Sequence, residues 1–110
     1  MTLSFGQITF DCTDAARLAG FWSELLGRPV DEGANPFFAT VGRTAAGDGV
    51  GAPVLMFLAV PEPKSAKNRV HIDLHDPDWS STADRAVGLG ATRLGDHDAC
   101  RCGGVGTCGA

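Results

Sequence analysis

The chain has 110 residues, 44% of them apolar and 20% charged, the size and balance of one globular domain with a core of its own. Its formal net charge of −4, with no basic stripe interleaved with aromatics, argues against nucleic acid and anionic membrane as partners. A neutral or cationic small molecule is electrostatically easier to accommodate.

The start, MTLSFGQITFDC, has neither a basic leader nor an apolar signal core, and no apolar run reaches the roughly 20 residues of a membrane span, so a cytoplasmic protein is expected. In a reducing compartment the four cysteines are expected as thiols, with Cys12 a small buried residue at the end of a strand. Leu3 to Cys12 reads as that strand. Ile8, Phe10 and Cys12 fall on one face, and Phe5, Gln7, Thr9 and Asp11 on the other.

Thr13 or Asp14 caps a helix carried by Leu18, Phe21, Trp22, Leu25 and Leu26 and stopped by Gly27 and Pro29. A short strand over Arg28 to Glu32 and a better one over Pro36 to Val41 follow. Gly42 to Pro53 carries four glycines and reads as a loop or hairpin. Pro53 to Val60 is strongly apolar and predicts a central strand.

After the Pro61-Glu62-Pro63 turn, Arg69 to His75 alternates Val70, Ile72 and Leu74 with Arg69, His71, Asp73 and His75, predicting a strand with one packed and one polar face. Three titratable groups in a row on such a face point to a ligand cavity. Asp76 and Pro77 open a second helix carried by Trp79, Ala83, Ala86, Val87 and Leu89, which Gly90 ends. Ala91 to Leu94 begins another strand. Helix closures LLGRPV and GLGATRL mark a half-hidden repeat, two similar modules of which the second is cut short.

Asp14 seven residues before Phe21-Trp22, the Leu26-Gly27 that follows, and PEPK, KNRVHIDL and LGATRL in that order carry a family resemblance. Over Leu3 to Asp98 the chain resembles the glyoxalase/bleomycin resistance protein/dioxygenase superfamily, the vicinal oxygen chelate fold, in its bacterial glyoxalase-like branch. The resemblance implies an α+β fold of paired βαβββ modules, a curled mixed sheet around a concave cleft, with the second module incomplete at the C-terminus. It implies metal ligands at Gln7 on the first strand and His71 on the fifth. The fourth-strand position falls near Met56, Phe57 or Leu58, none a ligand for a hard divalent metal. The acidic end of the eighth strand has no counterpart here.

Two donors fall short of the three or more protein ligands of catalytic divalent sites. Asp73 on the same face as His71 is the third ligand, an orienting group or the catalytic carboxylate. Without a metal, His71 is a cavity-lining hydrogen bonder, which the ligand count favours. The expected cofactor is therefore a divalent metal (Zn, Ni, Fe or Mn) or none. Lys64, Lys67 and Arg69 read as a solvated turn, and Trp22 and Trp79 as core anchors.

Residues 99–110, with Cys100, Cys102 and Cys108 among glycines, form an atypical tail to the 1–98 glyoxalase-like domain. Its composition is that of a frame error or truncation. A structural zinc site with His97 is the rival reading, against which the Cys-x-Cys spacing counts. Without the last two strands the second sheet is left with an edge open to another chain, so a homodimer or higher assembly is expected.

The resemblance implies a small organic molecule bound in the concave sheet, with metal-dependent lyase or dioxygenase-type chemistry on neighbouring oxygens. The alternative is metal-free sequestration of the bleomycin-resistance kind, with Phe5, Phe37, Phe38 and Met56 supplying contacts. The second needs no carboxylates and fits the residues present better.

Overall fold

The computed structural model describes residue 3, residues 5–43, 53–66 and 68–94, and the strand pairs 104–105 and 108–109. The chain is α+β, with a mixed sheet and two helices, and divides into two compact units, Met1–Lys64 and Ser65–Ala110.

In the first unit β1 (Gln7–Cys12) leads into α1 (Ala15–Leu26), followed by β2 (Phe38–Val41) and β3 (Val54–Ala59). The spatial order is β1-β3-β2, so the apolar VLMFLA strand is central as its composition predicts. β1 runs parallel to β3, with Gln7 opposite Val54 and Cys12 opposite Ala59. β2 runs antiparallel to β3, with Phe38 opposite Leu58 and Val41 opposite Leu55.

Asp14 caps α1, its carboxylate accepting the Arg17 N–H at 3.2 Å, and Gly27 closes the helix at φ 67°. α1 packs on β2 and β3 through Ala15, Ala19 and Trp22. These meet the sheet face made by Ala39, Val41, Leu55 and Phe57, all buried, with Phe10 stacked on Phe57 at 5.5 Å between ring centroids. Phe57 and Val41 are the largest fully buried side chains and mark the centre of this core.

The expected strand over Arg28 to Glu32 is reduced to one bridge, Val30 to Val41. Two side chains account for the irregular path around it. The Arg28 guanidinium donates to the carbonyls of Pro53 (2.8 Å) and Gly42 (3.4 Å), and Asp31 is buried, accepting from the Thr40 hydroxyl (2.7 Å) and the Arg43 N–H (2.9 Å).

The second unit holds β4 (Leu74–His75), α2 (Trp79–Gly88), β5 (Thr92–Arg93), β6 (Gly104–Val105) and β7 (Cys108–Gly109). β6 pairs with β4 and β7 with β5, both antiparallel, so the 99–110 tail, expected as a frame error or truncation, contributes two short strands. Of the seven-residue strand expected from Arg69, only Leu74–His75 forms a ladder. Period-two alternation supplies two usable faces but not a partner, and the backbone pairs only where β6 lies alongside.

The second helix begins two residues later than Pro77 suggests. Asp76 turns the chain first, its carboxylate accepting from the Asp78 N–H (2.8 Å) and the Thr82 hydroxyl. Ala83 and Ala86 are the buried residues of α2, whereas Trp79, expected as a core anchor, stands 41% exposed at its first turn.

Candidate ligand-binding face

With one face of the β1-β3-β2 sheet closed by α1, the other carries the alternate residues of each strand. The register places them in rows. Gln7 stands beside Val54; Thr9, Met56 and Thr40 form the next row, and Asp11, Leu58 and Phe38 the third. Burial follows the parity. Gln7, Thr9 and Asp11 are exposed, and Val54, Met56 and Leu58 are half-buried between them and β2.

The face is divided by chemistry. β1 contributes an amide, a hydroxyl and a carboxylate; β3 contributes only apolar groups. At one end the Gln7 side-chain amide donates to the Met56 thioether sulfur at 3.5 Å, a weak acceptor that leaves the amide carbonyl free for other donors. In the Thr9 row the Thr40 hydroxyl is buried and held by Asp31, so it faces no ligand.

Cys12, at the β1 end, belongs to the helix-facing parity. Its thiol donates to the Leu58 carbonyl at 3.4 Å. Burial pushes its pKa up, and the carboxylates of Asp14 and Asp11 push it further, so the sulfur stays protonated at neutral pH and is no nucleophile.

The residues expected to contact a ligand divide between this face and its margins. Met56 and Phe38 lie on it with Gln7. Phe37 immediately precedes β2 and is 76% exposed, held in a turn where the Asn35 carboxamide oxygen accepts the Phe37 and Phe38 N–H groups at 2.9 and 3.0 Å. Phe5 precedes β1 and is 74% exposed. Thr9, Asp11 and Leu58 were not candidates on sequence grounds; the period-two signals that group Gln7 with Thr9 and Asp11, and Met56 with Leu58, are the ones that would have found them.

His71 and Asp73 belong to the second unit. Both are exposed, and both precede β4 rather than standing in a ladder. Lys64 and Arg69 are exposed too, as a solvated turn requires; Lys67, His97, Cys100 and Cys102 lie outside the described residues. Among the described residues no three His, Cys, Asp or Glu side chains are grouped so as to hold a metal ion.

A helix-backed mixed sheet with an open, chemically divided face is an α+β design shared by ligand-binding and catalytic proteins alike. The family model of the glyoxalase-like domain matches residues 7–106, nearly the whole chain. The protein belongs to that family, within the glyoxalase and vicinal oxygen chelate superfamily. Among solved structures it is similar to one described as a possible glyoxalase from Bacillus cereus. The TM-score is 0.58 at 12% identity, over 83% of this chain and 78% of that one, a likeness of fold. No curated protein sequence matches the chain.

Proposed function

We propose that this protein binds a small organic molecule on the open face of the β1-β3-β2 sheet, without a resident metal. The observation that carries the reading is the parity of that sheet. α1 closes one side, while the other leaves Gln7, Thr9 and Asp11 exposed beside half-buried Met56 and Leu58. Small-molecule sites pair an apolar floor with a few polar groups that fix orientation, and this face has both. Phe38 borders it, with Phe5 and Phe37 as exposed aromatics nearby in the sequence.

The metal-dependent lyase or dioxygenase reading rests on Gln7 and His71 as ligands and Asp73 as base. Gln7 and His71 are one neutral oxygen and one imidazole, fewer than a catalytic divalent centre takes. Among the described residues the donors do not fit a resident metal. The two units are read as successive βαβββ modules of the family fold, and the working protein as a homodimer. Among the described residues no helix is long and apolar enough to cross a membrane.

Titration of isotope-labelled protein with a small-molecule fragment set tests the proposal. Amide shifts are expected to concentrate in 7–11 and 54–58. A set whose binders shift only residues outside the first unit's sheet would overturn it.

A further inference from the structure

We infer that the preferred ligand of the open face is an organic cation with an apolar body, seated along the row Asp11–Leu58–Phe38; the assignment rests on the binding face proposed above. Among the residues of β1, β2 and β3 only Asp11 is charged. The carboxylate of Asp31, beside β2 at the other edge of the sheet, is buried and has the Thr40 hydroxyl and the Arg43 N–H for partners. Asp11 is exposed, and no hydrogen bond or ion pair engages its side chain among the described residues. One carboxylate of this sheet is therefore satisfied internally and the other is presented outward.

The register says what lies beside it. Leu58 is opposite Asp11 on β3 and opposite Phe38 on β2, so the three side chains share one row on one face. With strands about 4.8 Å apart, the Asp11 and Phe38 backbones stand roughly 10 Å apart across Leu58. Leu58 is half-buried and Phe38 37% exposed, so both retain apolar surface to cover. A protonated amine at Asp11, with an aromatic or aliphatic body lying over Leu58 toward Phe38, satisfies the charge and covers that surface together. An anionic ligand would put like charges side by side, and the chain's net charge of −4 discourages it at longer range. The face thus selects by charge at one end and by apolar contact at the other.

The test uses three probes of one shape: 4-phenylbutylamine, 4-phenylbutanol and 4-phenylbutyrate. Binding is read from amide shifts of the full chain at low and high salt. The amine should bind about fivefold more tightly than the alcohol, the scale of an exposed charge pair, and the butyrate more weakly than either. Raising salt should narrow the gap between amine and alcohol.

Asp11→Asn should weaken the amine more than the alcohol, so that the gap between the two closes. Leu58→Ala should weaken both. A thermal melt of each variant separates loss of binding from loss of fold. Equal affinities of amine and alcohol, or an amine affinity unchanged in Asp11→Asn, overturn the charge assignment and leave the binding face standing. If no probe and no fragment shifts the first unit's sheet, the binding face fails as well.

Discussion

Gly42 and Gly27 both have positive φ, 85° and 67°, yet alanine should cost far more at the first. At Gly27 a Cβ meets nothing within 4 Å, so Gly27→Ala bears only the left-handed backbone penalty, about 1–2 kcal/mol. At Gly42 a Cβ would run into the Arg28 guanidinium. The arginine is flexible and can swing away, so the added cost is not a hard clash. It is the loss of the guanidinium's bonds to the Pro53 carbonyl at 2.8 Å and the Gly42 carbonyl at 3.4 Å. One well-formed bond to a charged donor is worth about 1.5–3 kcal/mol, and the longer one adds little.

Gly42→Ala should therefore destabilise by about 2.5–5 kcal/mol. In an Arg28→Ala background the same substitution should cost only the backbone penalty, leaving a coupling of about 1.5–3 kcal/mol in a double-mutant cycle. Urea unfolding of the four species measures it. Strict additivity would refute the argument, because it would mean that the guanidinium does not hold the end of β2 to the start of β3. The same tie bears on the binding face, since Pro53 leads directly into the Val54–Met56 stretch that sits beside Gln7 and Thr9.

The remaining predictions concern pH, metal and assembly. Asp76 has its pKa lowered, first by the Thr82 hydroxyl and then by the Asp78 N–H, so its contribution to stability is present above the ordinary carboxylate value of 3.8 and lost as pH falls below it. The Thr82→Ala variant should lack that part of the acid transition of α2, followed by circular dichroism; an unchanged acid limb would count against the turn. Purified protein should contain well under one equivalent of Zn, Ni, Fe or Mn by elemental analysis, and a stoichiometric metal lost in a His71→Ala variant would reinstate the lyase reading. Light scattering on a sizing column at micromolar concentration should give the mass of a dimer, and monomer alone would sink the assembly proposed here.

The first unit was largely legible because its signals are redundant. α1 combines an apolar stripe, Asp14 as a cap and Gly27 as a stop, and all three agree with the structure. β3 is apolar throughout, as a strand with neighbours on both edges tends to be. The second unit offered less. Alternation from Arg69 to His75 is compatible with a strand, but compatibility is not pairing, and only Leu74 and His75 find a ladder. Pro77 is a permitted helix start, yet the Asp76 side chain takes the Asp78 N–H and Thr82 hydroxyl and holds the first residues in a turn. Trp79 shows the same limit, since helical spacing identifies a stripe but not whether anything packs on it.

The binding face shows a deeper reason for the partial reading. Alternation within β1 groups Gln7, Thr9 and Asp11, and alternation within β3 groups Val54, Met56 and Leu58, but neither says which member of one set stands beside which of the other. That information is the register, and it depends on long-range pairing between residues 47 positions apart, as Gln7 and Val54 are. A shift of one residue would exchange the open face of β3 for the buried one, placing Phe57 outside and Met56 under α1. The large apolar residues Phe57 and Leu55 exclude that slip, because α1 covers only one side and they must be on it. The core residues thereby choose the register, and the register places Asp11 in line with Leu58 and Phe38. The chemistry of the open face is thus a consequence of how the opposite face packs.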